Sequence, residues 1–61
     1  MFNQNETVFV TFGAHKDRIC YIKRIDGEEY ILYDINNQFI GRFREQDIEK
    51  FDMNNYIGRN Q

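Results

Sequence analysis

Two side chains in this chain are suited to nucleophilic chemistry, Cys20 and His15, and each residue type occurs once. A thiol beside an imidazole is the smallest nucleophile–base pair. Cys20, however, stands between Ile19 and Tyr21 in a strand-like run, where a thiol behaves as a small buried hydrophobe. His15 falls in the polar stretch Gly13-Ala14-His15-Lys16-Asp17 and reads as an exposed loop residue. One Cys and one His do not furnish the four ligands of a structural zinc site. The carboxylates of Asp26, Glu28, Glu29 and Asp34 gather about one predicted hairpin. Acid–base work needs a cleft that holds a substrate, so a solvated turn accounts for them. The chain has no Ser, which removes Ser-His-Asp hydrolysis. Gly13, Gly27, Gly41 and Gly58 match no phosphate-cradling spacing. The residue inventory predicts a non-catalytic protein with no metal and no cofactor.

Charge and aromatic placement say more. Residues 14–25 carry a net +3, residues 26–36 a net -4 and residues 37–44 a net +2, within a chain of net -2. Arg18, Arg24, Arg42 and Arg44 beside Tyr21, Tyr30 and Tyr33 could form a nucleic-acid face, with cations for phosphates and rings for bases. A pI near 5.2 runs against the basic footprint of such binders. Tyr and Arg are also the residues that dominate protein interfaces, and a bipolar charge layout fixes orientation and partner choice. Tyr21, Arg24, Tyr33 and Arg42 are therefore the candidate protein-binding residues. The four arginines are the alternative nucleic-acid set, and self-association stays open.

The elements that must position these residues are strands. Six Phe, four Tyr and eight Ile in 61 residues favour β structure, in a chain with room for one small domain. Thr7–Phe12 alternates as a first strand, with Val8, Val10 and Phe12 on one face. Arg18–Ile25 is the second. Asp26-Gly27 then predicts a type I′ hairpin turn, which needs positive φ at both central residues. Glu28–Ile35 is the third strand, Asn36-Asn37 a second turn and Gln38–Phe43 the fourth strand. Residues 44–48 read as a single 3₁₀ turn with Ile48 inward, and 49–51 as a short closing strand. Residues 1–6 are expected to fray, and 52–61 to form a loose tail on which Tyr56 and Ile57 dock. A C-terminal helix over 44–57 is the alternative. Twelve side chains are assigned inside: Val8, Val10, Ile19, Cys20, Ile22, Ile25, Ile31, Leu32, Phe39, Phe43, Ile48 and Phe51. Phe9, Tyr21, Tyr30 and Tyr33 are left partly outside.

Five short strands, a loop after the first, two tight hairpins and a turn before a last short strand resemble the layout of small SH3-like barrels. The stretch from Gly41 to Phe51 is similar to how those barrels end, with Gly41, Phe43 and Ile48 in the positions of glycine, strand residue and inward apolar residue. Tudor- and KOW-like barrels of bacteria and phages look alike in this respect. Ile31-Leu32-Tyr33-Asp34 looks like the segment with which eukaryotic SH3 domains grip Pro-rich peptides, but it lies in the third strand. There is no Trp, so polyproline binding is not implied. Arg18 stands where the KOW pattern has glycine.

The fold class expected is thus all-β, a five-stranded SH3-like small barrel over residues 7–51. The residues with AT-rich codons total 30 against 10 for Gly, Ala, Arg and Pro, which points to a low-GC bacterium or its phage. No apolar run reaches the ~18 residues of a membrane span and no signal-peptide pattern opens the sequence. A lone cysteine fits a reducing compartment. The expected function is that of a cytoplasmic accessory protein, an adaptor or inhibitor that binds a larger protein. Weak nucleic-acid binding is the alternative.

Overall fold

Alternating β-branched and aromatic residues become five antiparallel strands in the computed structural model, which describes residues 1–59. They are β1 (Thr7–Val10), β2 (Ile19–Asp26), β3 (Glu29–Asp34), β4 (Phe39–Arg44) and β5 (Ile48–Lys50). A 3₁₀ turn at Glu45–Asp47 leads into β5, and a two-turn helix, α1 (Met53–Arg59), follows it. The strands lie in the order β4-β3-β2-β1-β5. This is an all-β, five-stranded antiparallel sheet compatible with a small barrel.

Both hairpins form where turn residues cluster, each with different chemistry from that expected. Asp26 pairs with Glu29, so the two-residue loop is Gly27-Glu28. Of those two only Gly27 has positive φ, +62°. Glycine at the first central position alone is the II′ pattern, not I′. The second loop is Ile35-Asn36-Asn37. Asn37 N–H donates to Asp34 O (2.9 Å) and Asp34 N–H to Gln38 O (2.9 Å), with Asn37 at φ +64°. A type I turn closed by a left-handed residue is the usual three-residue hairpin. The Asp34 carboxylate reinforces it by accepting from the N–H groups of Asn36 (2.9 Å) and Gln38 (3.0 Å).

The inner face buries Val8, Val10, Cys20, Ile22, Tyr30, Leu32 and Ile48, with Phe2, Ile40 and Phe43 packed against them. Gly41 lets the Phe43 ring lie close: a Cβ there would stand 3.2 Å from Phe43 Cε1. Five assignments change. Tyr30 is inside, because the sequence parity of β3 points Tyr30, Leu32 and Asp34 the same way. Ile25 and Phe39 are exposed: Ile25 lies where β2 runs beyond the span paired with β1, and Phe39 is turned outward by a register shift in β4. Phe9 is fully buried although it stands on the opposite side of β1 from Val8 and Val10. Phe12 is exposed, because β1 ends at Val10 and the chain turns away there.

Both ends of the chain are held to the sheet. Phe2 meets the Tyr30 ring edge-on at 5.6 Å, and Asn5 N–H donates to Ile22 O at 2.7 Å, where fraying was expected. At the other end, Asp52 caps α1 by accepting from Asn54 N–H at 2.9 Å. The helix brings Tyr56 onto Phe9 (5.3 Å between centroids) and Phe51 (5.5 Å). Its hydroxyl donates to Asp17 O at 3.0 Å. The residues read as a loose tail thus hold a helix as far as Arg59. Residues 60–61 lie outside those described.

Candidate functional site

The outer face of β2, β3 and β4 carries three cross-strand rows. Tyr21 lies opposite Tyr33 and Tyr33 opposite Phe39; Arg24 lies opposite Ile31 and Ile31 opposite Arg42; Asp26 lies opposite Glu29 and Glu29 opposite Arg44. Two register irregularities, between Ile22 and Arg24 and between Leu32 and Tyr33, set these rows on one side. A bulge of this kind inserts a residue and re-aims those beyond it. Without the one in β2, Arg24 would share a face with the inward Ile22.

The aromatic row is a packed surface. The rings of Tyr21 and Tyr33 lie 6.1 Å apart, those of Tyr33 and Phe39 6.0 Å apart at 75°. Lys23 Nζ sits 5.5 Å from the Tyr33 centroid, within cation–π range. The Tyr21 hydroxyl donates to Asn37 Oδ1 and ties the row to the second hairpin loop. Phe39 is 59% exposed and Ile35, in that loop, 80%. The middle row behaves differently. Ile31 is only 5% exposed yet stands outside the inner core cluster. It lies between Arg24 and Arg42 in the register, and arginine stems are able to cover apolar surface while the heads stay in water.

Arg42 is tied down by acids: Nε donates to Glu29 Oε1 at 2.9 Å and Nη2 to Asp26 Oδ2. These hydrogen bonds, Glu29 first, raise its already high pKa. Arg24 and Arg44 make no ion pair among the described residues. The four candidate protein-binding residues, Tyr21, Arg24, Tyr33 and Arg42, therefore lie together on this face. Of the alternative arginine set, Arg18 is apart from it. It follows the loop after β1, and its guanidinium faces Asp34 at 3.9 Å. Lys23, Ile31 and Phe39 are the members that sequence reasoning did not place here; Phe39 follows from the register shift in β4, while Lys23 and Ile31 follow from the alternation of β2 and β3.

The reactive candidates lie elsewhere. Cys20 is buried on the inner face, where its thiol makes a weak contact with Arg18 O at 3.6 Å. Burial, against a smaller opposing effect of Arg18, pushes the thiol pKa up from 9.0 to about 11. It is a protonated core side chain at neutral pH. His15 is half-buried in the loop rather than exposed. The acids do not form one solvated turn: Asp26 and Glu29 hold Arg42, while Asp34, 7% exposed, braces the second hairpin. Among the described residues no group of three His, Cys, Asp or Glu side chains is arranged to hold a metal ion, and no helix is long and apolar enough to cross a membrane. An open cleft of about 300 Å³ lies between Asp17, Arg18, Asp34 and Tyr56, and the buried Asp17 Oδ1 has no hydrogen-bond partner among the described residues. Searches of protein-family models, of curated proteins and of solved structures return no match to this chain.

Proposed function

We propose that this chain is a small SH3-like barrel that works as a non-catalytic protein-binding module, an adaptor or inhibitor of a larger protein, and that it docks through the outer face of β2–β4. The strand order with a 3₁₀ turn before β5 supports the SH3-like reading. One observation carries the function: Tyr21, Tyr33 and Phe39 form a contiguous aromatic row with arginines beside it, on the outer face of β2–β4, away from the contacts of Tyr56 with Phe9 and Phe51. Tyr and Arg anchors clustered in one patch are the composition of interface hot spots. A nucleic-acid surface works by neutralising many phosphates. Here Arg42 is held by two acids and Arg18, off this face, by a third, which leaves Lys23, Arg24 and Arg44 free of acids among the described residues on a chain of net -2.

The test is site-specific photo-crosslinking in the cells that make the protein, with the photoreactive residue at position 39 or, as control, at Met53 on α1. A discrete protein adduct from position 39 and none from position 53 is the expected result. An adduct to nucleic acid, equal adducts from both positions, or no adduct from position 39 would overturn the proposal.

A further inference from the structure

We infer that the segment recognised by this face is acidic and carries an apolar side chain next to its carboxylate, so that the carboxylate seats on Lys23 and Arg24 while the apolar group lies against Tyr33 and Phe39. The inference rests on the protein-binding reading above and names the partner's chemistry.

Charge placement is the ground for it. The chain as a whole is net -2. The outer face of β2–β4 holds Lys23, Arg24, Arg42 and Arg44 against Asp26 and Glu29, a formal +2, which leaves the remainder at -4. This face is therefore a positive island on an acidic molecule. Both of its acids are engaged by the same cation, Arg42. Lys23, Arg24 and Arg44 consequently carry charge that no acid among the described residues compensates. Arg44 is at the far row beside Glu29. Lys23 and Arg24 are adjacent in β2, and Lys23 already lies over the Tyr33 ring.

Those two cations thus border the aromatic row directly. A carboxylate brought to them completes charge-assisted hydrogen bonds without competing with an internal acid. A partner group of positive charge would meet Lys23 and Arg24 and be repelled. The aromatic row alone would accept any apolar side chain, so the cations supply the discrimination, by repulsion as much as by attraction.

The test uses the full chain, isotope-labelled, titrated by NMR at low salt with short synthetic peptides in which Phe is flanked by Glu, by Gln or by Lys. A single-stranded oligo-dT is the fourth probe. The Glu peptide is expected to shift the amides of Lys23, Arg24, Tyr33 and Phe39. The Gln peptide should bind at least about tenfold more weakly, and the Lys peptide should leave the face unmoved. The substitution Arg24→Glu, at an exposed position, should weaken the Glu peptide by a similar factor with an unchanged spectrum elsewhere. If all three peptides shift these amides alike, the charge preference is wrong while the protein-binding face stands. If no peptide shifts them, or oligo-dT does so with a steep salt dependence, both readings fall together.

Discussion

One sheet shows two treatments of its outer surface. Over β1 and β5, the chain covers itself. Phe9 projects outward and is nevertheless fully buried, because Tyr56 on α1 reaches back onto it and onto Phe51. Over β2–β4 no element returns among the described residues. Ile31 lies between Arg24 and Arg42, and the row Tyr21, Tyr33 and Phe39 stays partly open to water. Seven residues of helix suffice to close one end. The open end is therefore a surface on which apolar contact is still available, with arginines beside it.

The comparison breaks most visibly at its covered end. Phe9→Ala should cost about 3–5 kcal/mol, the usual loss for emptying a buried Phe site. A domain of this size has roughly 3–9 kcal/mol of stability in total, so the urea midpoint should fall close to zero denaturant. Phe39→Ala, at an exposed position, should stay within about 0.5 kcal/mol of the parent. Comparable losses at the two positions would mean that the open end is core and not a docking face.

Removing the cover itself should come next. Tyr56→Ala deletes the ring that touches Phe9 and Phe51, and a loss of about 2–3 kcal/mol is expected, at the low end for an aromatic because Tyr56 is only half-buried. Tyr56→Phe keeps the ring and loses the hydrogen bond to Asp17 O, worth about 1 kcal/mol. Hydrogen exchange at the Asp17 amide, which donates to Val10 O at 2.8 Å, should quicken in both variants. The amides of Tyr33 and Leu32 should move only with global stability.

How much of this was legible beforehand divides along the same line. The strands, both hairpins and the 3₁₀ turn were readable because alternation and turn residues are local signals. Asp26-Gly27 marked the right place, though the turn slipped by one residue: the strands set the pairing, and only Gly27 had to take positive φ. The positions of Phe39 and Arg24 depended on register shifts, which leave no mark in composition. Phe9 and the tail were misread for a related reason. An outward Phe looks exposed until a distant segment covers it, and α1 is too short for helical periodicity to declare itself. The visible clue was Asp52, a capping residue directly before 53–59. For the face itself, residue type marks Tyr21, Tyr33, Arg24 and Arg42, and β2–β3–β4 adjacency with the bulge before Arg24 brings them together. Lys23 and Ile31 needed only strand alternation, Lys23 in phase with Tyr21 and Ile31 with Tyr33.

The inner face beneath both regions supplies a pH-dependent probe. Cys20 titrates at about 11 in the folded chain against 9.0 ordinarily. The folded state keeps its proton where the unfolded state has lost it, so stability is fully present below pH 9 and falls as pH rises toward 11. Lys and Tyr side chains titrate in the same range. The measurement is therefore the urea midpoint against pH for the parent and for Cys20→Val, and the variant should show the shallower decline. Parallel curves would mean that the thiol ionises freely in the folded state and is not a sealed core group.

The smallest effect separates the two roles of Arg42 on the open face. Its ion pairs with Asp26 and Glu29 are solvent-exposed, and exposed pairs contribute little because water and salt screen them. Its stem, in contrast, stands beside Ile31, which is buried. Arg42→Met retains an unbranched apolar stem and removes both ion pairs, so its urea midpoint should match the parent's. Arg42→Ala should show a small but measurable fall, and the ranking of the three proteins should be the same at low and at molar salt. If Met loses as much as Ala, and the parent alone weakens as salt is added, charge pairing holds this end together. The acids would then be structural and the open face less free to exchange Arg42 for a partner. If stem length decides, the guanidinium is spare, and a partner's carboxylate can recruit it from Asp26 and Glu29 without loosening the sheet beneath.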